Sequence, residues 1–169
     1  MKRLAKFEKV SRENFVSSWQ DEFSSSREAA EKIYDGIKLP KRATSGSAGY
    51  DIFSPDDFTL EPGKTIKIPT GIRCKIDDGW VLKLYPRSGL GFKFRLQLNN
   101  TVGIIDSDYY YSDNEGHIFI KVTNDSNEGK TVDVKAGTGF AQGIFVEYGI
   151  TVDDDATEIR NGGFGSTTK

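Results

Sequence analysis

The chain has 169 residues and a mass of 18.8 kDa, with 23 basic and 25 acidic side chains and a net charge of −2. That length suits one domain with a real core, while a mean hydropathy of −0.50 and the lack of a ~20-residue apolar run exclude a transmembrane protein. The charge balance argues against a protein that coats nucleic acid, leaving only a local phosphate site open.

The opening MKRLAKFEKV is basic but has no long apolar core, so it does not read as a signal peptide. Cys74 has no intrachain partner for a disulfide, and with His117 alone it cannot complete a zinc cage. The reading is a cytoplasmic protein without membrane or direct nucleic-acid contacts.

In chain order, AKFEKV reads as a first strand and residues 11–37 as helix. Ser11 is a cap, and Phe15, Trp19 and Phe23 recur every fourth residue as one apolar stripe. Ser25 and Glu28 form an S-x-x-E capping box for a second helix, with Ala29, Ile33 and Ile37 on one face and Gly36 as terminator. The segment reads either as a packing appendage, dispensable for chemistry, or as a surface for a protein partner.

After Pro40 the period changes to two. FRLQL, HIFIKV and KTVDVKAG alternate cleanly, and Pro62-Gly63, Asp78-Gly79, Asn127-Glu128-Gly129 and Ala136-Gly137 supply turns. Many short strands at this spacing predict an antiparallel sandwich or barrel. His117 reads as a strand flank, Cys74 as a small core residue, and the acidic, then Gly-rich stretch of about 153–169 as a mobile arm.

Four stretches carry possible chemistry. Ser45 to Asp51 (SGSAGYD) is small and leads into a carboxylate: a tight turn or a close-approach site. Pro86-Arg87-Ser88-Gly89-Leu90-Gly91 is a turn that offers a forked cation, a hydroxyl and free N–H groups, which suits phosphate. Gly103-Ile104-Ile105-Asp106-Ser107-Asp108-Tyr109 ends an apolar strand on a carboxylate, either a plain strand end or a general base. Arg160 to Thr167 (RNGGFGST) combines a cation, glycines and one aromatic, either a tail or a closing arm.

Taken in order, and with Phe140-Ala141-Gln142-Gly143, these stretches resemble the five motifs of the homotrimeric dUTPases over about residues 37–167. PRSGLGFK, GIIDSDY and GGFGSTT are specific in combination. The resemblance implies a mainly β fold, the dUTPase-like β-barrel or jelly roll (β-clip). It implies one domain over 1–169, with an inserted helical segment at about 11–36. It further implies a homotrimer whose sites borrow motifs from all three subunits and hydrolyse dUTP to dUMP and pyrophosphate. Mg²⁺ would be held mainly by the substrate phosphates, without dedicated protein ligands.

Carried over by position, Asp106 is the carboxylate that orients the attacking water and receives the sugar 3′-OH. Tyr109 packs under the deoxyribose and leaves no room for a 2′-OH. Asn100 falls in the hairpin that reads uracil, with Gly103 and Ile105 beside it in the substrate site. Arg87, Ser88 and Gly89 are the phosphate-binding turn, and Gln142 a phosphate- or water-contacting amide. Arg160, Phe164, Gly165, Ser166 and Thr167 form the closing arm, and Asp51 is a supporting carboxylate near the metal's outer shell.

Three departures from the pattern stand out. Residues 110–115 lengthen the loop after Tyr109, Gly139 stands where the family often has a basic residue, and residues 11–36 are inserted. Two alternatives stay open: a nucleotide-dependent regulator that binds a repressor protein, or a relative of the dCTP deaminases, for which no catalytic Glu segment is visible.

Overall fold

In the computed structural model, which describes residues 1–163, the alternating runs form short antiparallel strands gathered in four sheets. β1 (Ala5–Lys9) pairs with β6 (Ile72–Ile76), and β4 (Phe58–Leu60) with β11 (Val132–Val134). A three-stranded sheet runs β5 (Thr65–Pro69), β10 (Phe119–Asn124), β8 (Leu96–Leu98). A five-stranded sheet runs β2 (Lys41–Arg42), β3 (Tyr50–Phe53), β12 (Gly139–Glu147), β7 (Trp80–Pro86), β9 (Gly103–Ile105). The fold is mainly β, as expected, but among the described residues these ladders do not join into one closed barrel.

Register follows burial. Ile68 and Ile66 of β5 lie opposite Ile120 and Val122 of β10, and turning Ile68, Ile120 and Val122 inward buries all three. In the five-stranded sheet β12 is central: Gln142 faces Asp51 on one side and Tyr85 on the other. On the far side of β7, Leu84 pairs with Gly103 and Leu82 with Ile105. Because β7 and β9 run antiparallel, the chain leaves β9 at the end where it enters β7. That fact sets the geometry of the site.

The helical segment is part of the core. α1 (Arg12–Phe23) is capped by Ser11, whose Oγ accepts from Asn14 N at 3.2 Å. Phe15 is 0% exposed and Trp19 5%, with their rings stacked at 5.4 Å; Phe23, the third residue of the stripe, stays at the surface. Phe15, Val16, Trp19, Ala30 and Ile37 share one apolar cluster with Ile68, Ile72 and Ile118. Two residues of the stripe are therefore spent on the β body, as a packing appendage requires, and only the burial of Phe23 is corrected. Gly71 admits the helices: its φ is +71°, and a Cβ there would lie 2.3 Å from Ile37 Cδ1 and 2.9 Å from Phe15 Cδ2.

The second cap is also corrected. α2 (Arg27–Gly36) begins from Ser26, not Ser25; Ser26 Oγ accepts from Ala29 N at 3.2 Å. The shift turns Ala30 rather than Ala29 into the core and leaves Glu28 in the first turn, where a carboxylate favours the helix dipole. Among the described residues no helix is long and apolar enough to cross a membrane.

Candidate active site

β9 ends at Ile105, and Asp106 is the extended residue that starts a 3₁₀ turn over Ser107–Tyr111. The strand does not continue to Tyr109; the turn instead brings Asp106 and Asp108 round to one cation. Arg160 Nη2 lies 2.6 Å from Asp106 Oδ2, and Arg160 Nε 2.8 Å from Asp108 Oδ1. Beside them opens a cavity of about 220 Å³. Asn100, Gly103, Ile105, Asp106, Tyr109 and Arg160, all expected from the sequence, line it.

One part of the expectation changes. Asn100 sits in the turn between β8 and β9, which belong to different sheets, so the turn is a corner and not the tip of a paired hairpin. Thr101 there takes φ +66°, and Val102 N bonds back to Asn100 O at 2.7 Å. The corner holds backbone groups tightly at the cavity's edge. Lys121 of β10 also lines the cavity. In the sequence it stands only as part of the alternating HIFIKV run. The signal was that alternation itself, which sets Lys121 on the face opposite to Ile120 and Val122.

Tyr109 is buried, and burial pushes its phenol pKa up, so the hydroxyl keeps its proton. It donates to His117 O at 2.6 Å and accepts from Asn114 Nδ2 at 2.9 Å. The longer loop after Tyr109 folds back onto the β1–β6 sheet. The Arg73 guanidinium lies 3.8 Å over the Tyr110 ring, and the Tyr110 hydroxyl donates to Glu8.

The loop then makes two successive left-handed residues, Glu115 (φ +61°) and Gly116 (φ +69°). A Cβ at Gly116 would lie 2.7 Å from Tyr109 O, so only glycine fits. A left-handed glutamate is strained; Ser11 N and Oγ hold its carboxylate at 2.7 and 2.6 Å.

His117 is wholly buried and not merely a strand flank. Gly71 N donates to Nε2 at 2.9 Å, which puts the ring proton on Nδ1, 2.9 Å from Asn14 Oδ1. Burial pushes its pKa down to about 4, so the ring is neutral at pH 7.

A second cluster forms where the chain leaves β7. The expected Pro86–Gly91 turn is instead the start of a short helix, α3 (Ser88–Phe94), with Arg87 at its N-cap position. Leu90 N and Gly91 N bond to Arg87 O, while the first-turn N–H groups of Ser88 and Gly89 have no acceptor within the helix. Arg87 Nε lies 3.2 Å from Asp51 Oδ1, and Gln142 Nε2 donates to Pro86 O at 3.2 Å.

Gly139 gives Arg87 room. A Cβ there would stand 3.1 Å from Arg87 Cδ and 3.2 Å from Nη1, so a basic side chain at this position would crowd the arginine.

The two groups lie at opposite ends of the β7–β9 pair. Asp106 follows the Ile105–Leu82 pair, which sets it level with Val81, whereas Arg87 follows Pro86 at the other end. The separation is roughly 20 Å at ~3.3 Å per residue. One chain thus gathers the pocket residues in one place and Asp51, Arg87, Ser88, Gly89 and Gln142 in another. Phe164, Gly165, Ser166 and Thr167 lie outside the described residues. Among the described residues, no three His, Cys, Asp or Glu side chains gather as a cation site.

The dUTPase family model matches residues 35–168, beginning just before the end of α2. A deoxyuridine 5′-triphosphate nucleotidohydrolase from Lactococcus lactis is 42% identical over 135 residues, covering 78% of this chain and 89% of that protein. One from Hahella chejuensis is 40% identical over 144 residues, covering 80% and 90%. The crystal structure of a dUTPase from Streptococcus mutans matches with a TM-score of 0.63 at 32% identity, over 88% of this chain and 98% of that one. With the family model spanning most of the chain and relatives 40–42% identical over most of their own length, the protein belongs to the dUTPase family.

Proposed function

We propose that the protein hydrolyses dUTP to dUMP and pyrophosphate as a homotrimer. Each complete site combines the Asp106 pocket of one chain with the Arg87 cluster of another. The observation that supports this reading is the separation of the two clusters. A base-and-sugar pocket and a phosphate cluster at opposite ends of one strand pair cannot serve a single nucleotide, whereas a ring of copies can bring unlike ends together.

Within such a site the nucleoside enters the small cavity beside Tyr109, with the Asn100 corner offering backbone donors and acceptors to the base. The triphosphate meets Arg87, the Ser88 hydroxyl, the free N–H groups of Ser88 and Gly89, and the Gln142 amide, a set of donors suited to anionic oxygen. Arg160 exchanges its carboxylate partners for phosphate oxygen, which frees Asp106. Asp106 then takes a proton from an in-line water as that water's oxygen bonds to the α-phosphorus. The bond from the α-phosphorus to the bridging oxygen breaks, and pyrophosphate leaves.

The donor set would suit an Mg²⁺ held mainly by the triphosphate, since the phosphate cluster supplies one carboxylate, Asp51, and the two of the pocket, Asp106 and Asp108, are both bound to Arg160. Asp51 is the residue able to accept a hydrogen bond from a water on such an ion, and the ion supplies charge neutralisation on the phosphates. The test is pyrophosphate release from dUTP, dCTP, dTTP and UTP, together with light scattering. Rapid release from dUTP by a particle of three chain masses is expected; turnover by a monomer, or preference for dCTP, would overturn the reading.

A further inference from the structure

The two embellishments of the chain, the helical segment and the long loop after Tyr109, meet on the turn 114–117. The Asn14 side chain holds that turn from the α1 side. Its Nδ2 donates to Asn114 O at 3.1 Å, and its Oδ1 accepts from His117 Nδ1 at 2.9 Å. From the pocket side, the Tyr109 hydroxyl holds the same two residues, His117 through its carbonyl and Asn114 through its amide. One turn is therefore gripped at residues 114 and 117 from both sides. Ser11 adds a third hold at Glu115, and Gly71 N fixes the other nitrogen of the His117 ring.

This connection has the properties of a rigid strut. Tyr109, Asn14 and His117 are at least half-buried, the bonds are of ordinary length, and the turn's two left-handed residues leave it few alternative shapes. Buried hydrogen-bonded networks of this kind fix side-chain position more than they add stability. Tyr109 in turn lines the cavity beside Asp106. A shift of the turn would move the phenol, and with it the wall on which a sugar rests.

We infer that Asn14, on a helix outside the family's common core, is a positioning residue for Tyr109 and so sets discrimination between deoxyribonucleotide and ribonucleotide. The inference rests on the reading of Tyr109 as the wall under the sugar.

The test measures kcat and KM for dUTP and UTP in the full chain. Tyr109→Phe keeps the ring and deletes its anchor; Asn14→Ala deletes the far grip. Each is expected to lower the dUTP-over-UTP ratio of kcat/KM by about five-fold, the loss of one ordinary hydrogen bond's worth of positioning, mainly through better use of UTP. The double variant should lose little more than either single one, because both act on one turn.

Arg27→Ala, which removes the α2 arginine bound to Glu13 and Glu31, should leave the ratio at its wild-type value. Should Asn14→Ala fail to fold, Asn14→Asp has the same shape, keeps the acceptor for His117 and loses the donor to Asn114; the same fall is expected. A wild-type ratio in the Asn14 variants beside a lowered ratio in Tyr109→Phe would overturn the inference. So would an equal fall in Arg27→Ala, which would assign the effect to general loosening of the helices. A wild-type ratio in Tyr109→Ala would instead overturn the underlying reading of Tyr109.

Discussion

The two ends of the β7–β9 pair carry opposite kinds of chemistry. At the Asp106 end, beside a small cavity, a carboxylate is tied to Arg160 and a buried tyrosine to His117, whose ring in turn reaches Asn14, 103 positions away. At the Arg87 end one arginine, one amide and the start of a seven-residue helix are held almost wholly by sheet register. The first end is built to hold a shape and, in the proposed reading, takes up a proton; the second carries donors that suit a flexible anion. In the proposed reading neither is a complete hydrolase, and the difference teaches how topology can distribute a site: an antiparallel pair sends successive motifs to opposite ends.

The largest effect that would sharpen this contrast lies at the first end. Asp106→Asn should lower kcat at least ~10²-fold, the low end for losing a general base, while KM for dUTP and the melting temperature stay near wild type. An Asp106→Asn enzyme with normal kcat, beside an inactive Asp108→Asn enzyme, would move the base two residues along.

A second effect distinguishes the two ends by pH. The folded His117 has a pKa of about 4 against about 6.5 for a free histidine, mainly through burial, with Glu115 opposing weakly; Asn14, Ser18 and Gly71 N, its other polar neighbours, are uncharged. Between those values the unfolded chain binds a proton that the folded chain refuses. Folding stability should therefore fall as pH drops from about 6.5 to about 4, by about 3 kcal/mol in all, with no contribution from this residue above pH 6.5. Denaturant titrations of the wild type and His117→Gln should show this part of the slope only in the wild type. Parallel slopes would contradict a buried neutral ring.

The third effect belongs to the second end. Arg87→Ala should raise KM for dUTP by about 10- to 100-fold, the value of one charge-assisted hydrogen bond, and should change the affinity for the single phosphate of dUMP far less. An equal loss for both ligands would mean that Arg87 supports the fold and not the triphosphate.

How far the sequence told this story depends on range. Strict alternation in HIFIKV and KTVDVKAG placed β10 and β11, because inward-facing residues in a half-buried strand repeat every two positions. Ser11 was legible as a cap because its partner, Asn14, is three residues away. Ser26 was not, because Ser24, Ser25 and Ser26 are chemically alike and the choice rests on which alanine the β body buries. α3 was illegible because two of its seven residues are glycine, a poor helix former, so its helicity comes from context. Asp106, Tyr109 and Arg160 stood out through motif residues. The grip of Asn14 on His117 spans 103 positions, and nothing local marks it.

The most direct test of the shared site is to mix two crippled chains. Asp106→Asn and Arg87→Ala polypeptides, each slow alone when dUTP is held well below the wild-type KM, are unfolded together in equal amounts, refolded and assayed at that concentration for pyrophosphate release. If each site draws Asp106 from one chain and Arg87 from another, random assembly leaves about one quarter of the sites with both residues intact, and about that share of wild-type turnover should return. Activity that stays at the level of the separate variants, in a refolded trimer shown to contain both chains, would contradict the account.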